Sequence, residues 1–432
     1  MRAYGDGGGA YKLVKLSAST GGGGGGSSYE LPVASASTLG GIKIGSGLSI
    51  DAGTGVLSTS FSAYSLPTAS SSVLGGIKVG TSLSISSGVL NTTLPLPDTL
   101  ESSTSTAISG YTLVTSSPSG FYGVKQTNYL GFTINDTALT LLQDGRVLMA
   151  GGYRNGAYTA NTYIGTVSAS GDKSAITWVA STALPSIRGG GTLNTLSDGR
   201  VIYACGGNNV GTAQTTVYIG TVSGDTISWV TSTDCPVART GHVSCILSNG
   251  RLLLVSGYNT PSCYFGTVSG DAIAWVSAGN YPSGVACVNP AFSIIDGVAA
   301  DTVASVGGSN SGNSSSNSYL GKISGNTITW YSAESLPFPL SSLSGISIFS
   351  KLVMLGGYRS GVNYLGILAT CLITETKIYP ESNYLKLAVA VSNPAAVKLA
   401  NGRILCVGGN LVGGSQSDAV QTIYPKYIFT KN

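Results

Sequence analysis

Charge is what this 432-residue chain has least of. Asp, Glu, Lys and Arg make up 9% of it, where about a quarter is usual for a globular chain. The formal net charge is +4 and no Lys/Arg cluster exists, so nothing in the chain favours a nucleic-acid partner or an anionic membrane surface. Histidine occurs once, at His242, and the seven cysteines are scattered without Cys-x-x-Cys pairs. That excludes an ordinary zinc site, a histidine-rich copper site and a disulfide framework. A Ser-His-Asp triad would have to use His242, and no nucleophile-elbow motif accompanies it. Glycoside hydrolysis needs two neighbouring carboxylates, but most Asp fall in turn motifs, and Glu334, Glu375 and Glu381 are isolated. No run of about 18 apolar residues is present, so no membrane insertion is expected. The start, Met1–Asp6, lacks the apolar stretch of a secretory signal. The expectation is a protein without cofactor, metal or catalytic constellation, and hence not an enzyme.

What the chain has instead is glycine (62 residues) and stretches of Ser and Thr between short apolar runs. Its surface must be solvated by hydroxyls, amides and backbone. Cys205, Cys245 and Cys406 lie inside apolar strand runs and read as small buried hydrophobes. Six times a strand runs into a Gly-Gly or Ser-Gly pair: Gly151-Gly152, Gly206-Gly207, Ser256-Gly257, Gly307-Gly308, Gly356-Gly357 and Gly408-Gly409. The intervals are 55, 50, 51, 49 and 52 residues. A period of roughly 50 gives one four-stranded sheet per repeat, and such sheets must close into a ring to bury their faces.

The clearest repeat starts at Pro236-Val237-Ala238-Arg239-Thr240-Gly241-His242 and continues as strand a (Val243–Leu247), strand b (Arg251–Gly257), strand c (Tyr264–Val268) and strand d (Ile273–Val276). Pro-x-x-Arg-x-Gly-His, the Gly pair after strand b and Trp275 in strand d resemble the kelch repeat, which implies a six-bladed β-propeller. The a–b turns Asp144-Gly145-Arg146, Asp198-Gly199-Arg200, Asn249-Gly250-Arg251 and Asn401-Gly402-Arg403 are tight hairpin signals, and their arginines read as solvated or structural. The fourth repeat has an insertion after Asp296-Gly297, and the fifth has Ser350-Lys351 at the turn. Trp178, Trp229, Trp275 and Trp330 find a fifth counterpart only in Tyr379. The sixth repeat lacks strand d. Tyr111–Pro118 reads like Thr177–Pro185, so N- and C-terminal strands are predicted to share the last blade and remove the open sheet edge.

Four regions result: a Gly-rich N-terminal attachment segment (1–29), a stalk (30–97), a linker (98–110) and the propeller head (111–432). In the stalk, Leu31–Gly45 returns as Leu66–Gly80, and a short strand pair follows each copy. Gly40-Gly41-Ile42-Lys43-Ile44-Gly45, then Gly47-Leu48-Ser49-Ile50-Asp51 and Gly55-Val56-Leu57-Ser58, resemble the stalk repeats of bacteriophage tail fibres. The second copy departs at Ser86 and lacks Gly before Leu83. Each copy is too small for a private core, and the resemblance implies a homotrimer through the stalk.

Strands alternate direction within a blade, so a–b and c–d turns share one face of the disc, and b–c and d–a loops share the other. A stalk entering at the start of a d strand lies on the a–b/c–d side. The opposite face holds the candidate ligand-binding residues Tyr153, Arg154, Tyr158, Arg188, Asn208, Asn209, Arg239, Tyr258, Asn259, Asn310, Tyr358, Arg359 and Asn410, together with Asn155 and Asn313. Aromatic rings with amide and guanidinium donors suit sugar faces and hydroxyls. The fibre resemblance implies a virion protein, assembled in a host cytoplasm and held by its N-terminus to other tail or baseplate proteins. Its head would recognise a host surface glycan or outer-membrane protein. The alternatives are a capsid- or baseplate-attached structural spike and, third, a polysaccharide depolymerase.

Overall fold

The computed structural model describes residues 130–424, apart from 169–175, 210–211, 259, 283–286, 297, 299–300, 311, 349, 360–362, 375 and 382–384. Elsewhere it describes only the backbone of strands. The chain divides into two compact units, Met1–Asp98 and Thr99–Thr430. In the first, the expected strand pairs after each stalk copy are antiparallel hairpins, Leu48–Ile50 with Leu57–Thr59 and Leu83–Ser86 with Val89–Thr92. A third hairpin joins Arg2–Gly5 to Tyr11–Val14. Trimerisation of the stalk and the role of residues 1–29 concern side chains and partners outside the described residues.

The second unit is a six-bladed β-propeller. Strands a, b, c and d follow one another across each of the first five sheets. They are Ala138–Leu141, Val147–Ala150, Thr162–Val167 and Ile176–Ser181 in blade 1, and Thr192–Thr195, Val201–Ala204, Val217–Ser223 and Thr226–Thr231 in blade 2. Blade 3 has Val243–Ile246, Leu252–Val255, Ser262–Ser269 and Ala272–Asn280; blade 4 has Ala291–Ile294, Thr302–Val306, Ser318–Ser324 and Thr327–Ser332. Blade 5 is formed by Ser341–Ile348, Lys351–Arg359, Asn363–Ile373 and Ile378–Pro380. The a strands lie side by side around the axis, blade 6 (Ala395–Lys398) meeting blade 1. The b strands of blades 1–4 and 6 are buried along their whole length, and that of blade 5 as far as Gly357, because each is covered on both faces by neighbouring blades. Interleaved apolar clusters such as Leu148, Ile164, Leu193 and Tyr203 fill the space between one blade and the next.

The last blade closes as the sequence predicts. Its strand c, Ala419–Lys431, pairs with Tyr111–Tyr129. The same strand runs past Ile423, opposite Ile404 at the a–b turn, and pairs further on with Thr99–Ser102. Thr99–Ser102, expected as linker, is therefore part of the propeller sheet, and the unit begins beyond the a–b turn end of this blade.

The tryptophans have a partner that the repeat did not advertise. Trp178, Trp229, Trp275 and Trp330 lie opposite Gly165, Gly220, Gly266 and Gly321 on strand c. A Cβ at Gly220 would come within 2.7 Å of the Trp229 ring, so the glycine is the bed on which the indole lies. Trp229 and Trp275 also donate their indole N–H to the carbonyls of Thr182 and Thr233 in the preceding blade, at 3.0 and 3.3 Å. Tyr379 does not replace them: it pairs with Leu372, one residue out of phase, and Pro380 occupies the tryptophan position.

The turn arginines are inter-blade latches. Arg146 reaches Asp225 Oδ1 at 2.7 Å and the Gly224 carbonyl at 2.8 Å on the next blade's c–d turn. Arg200 donates to Gly270 O at 2.6 Å, and Arg251 to Gly325 O at 2.6 Å and Asn326 Oδ1 at 2.8 Å. Glu381, which reads as isolated, is held by Lys351 at 2.8 Å.

Candidate binding face

The face opposite these latches is built by b–c and d–a loops, and the Gly pairs dock them. Gly152 donates its N–H to Arg188 O at 2.8 Å, Gly206 to Arg239 O at 3.0 Å, Gly308 to Leu340 O at 2.9 Å and Gly409 to Ile134 O at 2.9 Å. Each of these bonds stitches one blade to the next. At Gly151 the backbone is left-handed (φ +64°), and a Cβ would stand 2.6 Å from Arg188 O, so both conformation and proximity require glycine.

Nearer the axis, six equivalent residues, five just before the a strands and Ser342 at the start of its own, share the left-handed conformation: Asp136, Gly190, Gly241, Asn289, Ser342 and Asn393. They form a hydrogen-bonded ring. Gly190 N–H donates to Asp136 O, Gly241 to Gly190 O, Asn289 to Gly241 O and Asn393 to Ser342 O, at 2.7–2.9 Å. Between blades 4 and 5 the donor is displaced to Leu343, 3.1 Å from Asn289 O. Between blades 6 and 1 the Asn393 side-chain amide donates to the Asp136 carboxylate. This collar frames a cavity of about 180 Å³ on the axis, to which all six blades contribute. Burial pushes the Asp136 carboxyl above its ordinary value, and the Asn393 hydrogen bond opposes that shift. His242 also lines the cavity; its Nε2 is 3.0 Å from Thr192 Oγ1, and its Nδ1 has no partner. Burial, reinforced by the charge of Arg239, holds the imidazole well below its usual value, hence neutral.

Sequence reasoning missed this collar, although the signal was present. Gly241 of the Arg-Thr-Gly-His motif recurs at intervals of 48–54 residues as Gly, Asp, Asn or Ser. Gly, Asn and Asp are the residues most tolerant of positive φ.

The predicted contact residues divide into two grooves. Between blades 1 and 2, Tyr153 and Tyr158 meet edge-on with centroids 5.4 Å apart, and Asn209 accepts the Tyr158 N–H at 3.1 Å. Between blades 4 and 5, Asn310, Asn313, Asn317 and Ser316 line an open hollow of about 500 Å³ with Pro339. Beside it the Ser314 hydroxyl is 3.3 Å from Tyr358 O, and Arg359 covers the ring of Phe338 at 4.9 Å. Tyr258, 54% exposed, stands alone on blade 3. Asn208 caps its own loop by accepting the Thr212 N–H, and Asn410 accepts from Asn135 Nδ2 at 2.8 Å.

Two predicted contacts are corrected. Arg239 is fully buried and donates to the carbonyls of Ser256 and Ser262 at 3.0 Å; Arg188 is buried and spends its donors on Ile187 O and the Tyr218 hydroxyl. Both hold loops in place, and neither offers its guanidinium to solvent. Arg154 is half-buried, 4.2 Å above Phe132 and bonded to the Tyr163 hydroxyl. Asn259 lies outside the described residues. Among the described residues no three of His, Cys, Asp and Glu gather in a way that would hold a metal ion.

No protein-family model matches the chain, and no curated protein is significantly similar to it in sequence. Among solved structures, that of YjhT superposes with a TM-score of 0.53 at 15% identity, covering 68% of this chain and 96% of that one. At that identity the likeness carries the fold alone: an all-β, kelch-like propeller.

Proposed function

We propose that this chain is a bacteriophage tail fibre whose propeller head recognises a host cell-surface receptor, a glycan or an outer-membrane protein. The observation that carries the reading is the asymmetry of the disc. Exposed aromatic and amide groups (Tyr258, Asn209, Asn313, Asn317) lie on the b–c/d–a face. The unit's first strand, Thr99–Ser102, pairs beyond the opposite end of the last blade. A head carried from that end presents the loop face outward. The stalk repeats support a trimer, in which weak single-site contacts gain avidity from being tethered together. The test is adsorption: purified protein should bind host envelope and compete with virions, and absence of competition at saturating protein removes the reading. Tyr258→Ala with Arg359→Ala should weaken that binding, and Arg146→Ala, on the other face, should leave it intact.

A second reading, a structural spike packed against other virion proteins, is favoured by one feature. Val179, Val230, Val276, Tyr331 and Tyr379 place an exposed apolar side chain on the d strand of five successive blades. Electron microscopy of the particle separates the two, because the propeller either projects freely or is covered along that rim.

A further inference from the structure

Blade 2 departs from the repeat at two positions, and the two departures meet. The left-handed residue at the end of strand b is Gly151, Gly307, Gly356 or Gly408 in four blades, Ser256 in blade 3 and Cys205 (φ +57°) in blade 2. The d–a loop residue that donates its N–H to the chain around the start of strand c is a buried leucine in four blades (130, 184, 336 and 387), Tyr281 in blade 3 and Cys235 in blade 2. Cys205 thus bears a backbone cost that glycine avoids, and Cys235 forgoes most of a leucine's apolar contact. Both cysteines belong to one apolar cluster and converge on one carbonyl: Cys235 N–H donates to Thr215 O at 2.8 Å, and Cys205 Sγ lies 3.9 Å from the same oxygen. Their thiols are hydrogen-bonded to each other, which pushes Cys205 up and, with the charge of Arg239 and the Val237 N–H, holds Cys235 below its ordinary value against the effect of burial. Arg239 is itself fully buried, and its Nη2 has no partner. One sulfur of the pair is therefore the better thiolate and the other keeps its proton. In Cys245, Cys263, Cys287, Cys371 and Cys406, by contrast, burial is the main influence and raises every thiol.

We propose that Cys205 and Cys235 are an oxidisable pair that closes to an intramolecular disulfide, tying the end of strand b to the d–a loop of the same blade. Both residues are at most 1% exposed, so the oxidant must be small and neutral, and hydrogen peroxide meets that need. The Cys235 thiolate attacks one peroxide oxygen, the O–O bond breaks and hydroxide leaves, making Cys235 a sulfenic acid. The Cys205 sulfur then attacks the Cys235 sulfur; the S–S bond forms, the S–O bond breaks, and the hydroxyl departs with the Cys205 proton as water. The proton that Cys235 gave up at the start neutralises the hydroxide. Two thiols are oxidised and one peroxide is reduced to two waters. The bond fastens the base of the loop that carries Asn208 and Asn209, and it encloses strands c and d of blade 2 in a covalent loop.

The experiment treats the full chain with hydrogen peroxide, removes the excess, and alkylates the protein with iodoacetamide in denaturant before digestion and mass spectrometry. Five of the seven cysteines should be alkylated, and the peptides of Cys205 and Cys235 should be joined; a thiol-reduced control should show all seven alkylated. The oxidised protein should melt about 5 °C above the reduced one, because the crosslink restricts the unfolded chain. Cys205→Gly, alone or together with Cys235→Leu, restores residues that four other blades use and so keeps the fold. Neither variant should gain thermal stability from peroxide. Seven alkylated cysteines after peroxide, a Cys235 that stops at the sulfinic acid, or a disulfide joining a different pair overturns the proposal. So does a crosslink that leaves the melting temperature unchanged, or an equal rise in the variants.

Discussion

The side-chain amide of Asn393 donates to the carboxylate of Asp136 across the seam where the last blade meets the first, joining residues 257 positions apart. At four of the other five seams a backbone N–H does this work: Gly190, Gly241, Asn289 and Leu343 each reach back to the preceding blade. Blades 5 and 6 are likewise joined by Asn393 N–H to Ser342 O at 2.7 Å. Asn393 thus serves two seams at once, one with its backbone and one with its side chain.

Asn393→Ala should therefore destabilise the propeller by about 1–3 kcal/mol, the range for leaving an enclosed polar partner without its hydrogen bond. Asn393→Asp should be at least as harmful, because two carboxylates would then face each other. Chemical denaturation of the three proteins checks this, and an unchanged midpoint in Asn393→Ala would show that the seam does not need the bond.

His242 is the chain's only histidine, which makes its titration separable. Burial holds it neutral in the folded protein, so the unfolded chain binds a proton that the folded chain refuses. The unfolded state is then the better proton binder below the ordinary imidazole value, about 6.5, and stability falls as pH falls from there. The slope approaches about 1.4 kcal/mol per pH unit. Cys235 also takes up a proton as pH falls, its thiol held below the ordinary value by the Cys205 hydrogen bond and by Arg239. It is common to both proteins, so comparing wild type with His242→Gln isolates the histidine. The variant should show the shallower loss between pH 6.5 and 5, and parallel curves would refute the assignment.

The ring was legible because its determinants are local and repeated: Gly pairs about 50 residues apart, Gly-Arg turns, and a strand near Val114 that resembles a d strand. The site was only half legible, because loop position is a poor guide to burial for arginine. Arg239 sits in a d–a loop, yet its acceptors Ser256 and Ser262 lie 17 and 23 residues downstream in the same blade. Tyr379 misled for the opposite reason. An aromatic at about the right distance looked like a fifth tryptophan, but strand register sets the face, and a slip of one residue turns the side chain over. Asp136 and Asn393 are the first and last members of the collar series, and their side chains meet only because the ring closes.

The Gly pairs invite a paired test. Gly151 and Gly145 both have positive φ, at +64° and +85°, so replacing either by alanine carries the left-handed backbone cost of about 1 kcal/mol. Only at Gly151 would the new methyl meet a neighbouring blade, 2.6 Å from Arg188 O, whereas nothing lies within 4 Å at Gly145. Gly151→Ala should cost about 1–3 kcal/mol more than Gly145→Ala, the usual range for overpacking. Equal shifts in melting temperature would mean that the blade seam yields freely, and the docking role of the Gly pairs would fall with it.

The latch arginines separate architecture from recognition. Arg146 binds Asp144 within its own turn and Asp225 on the next blade, both at 2.7 Å, with both carboxylates at least half exposed. Solvent screening limits the coupling of such a pair to about 0.2–1 kcal/mol, so a double-mutant cycle of Arg146→Ala and Asp225→Ala should return a value in that range. Arg251 has no carboxylate partner among the described residues and instead lies 4.4 Å over Phe265. Its replacement by alanine therefore removes ring packing as well as two hydrogen bonds, and it should cost more than Arg146→Ala, with less of the effect lost at high salt. If Arg251→Ala responds to salt as strongly as Arg146→Ala, charge rather than packing holds that latch, and the Gly-Arg turn does the same work in both blades.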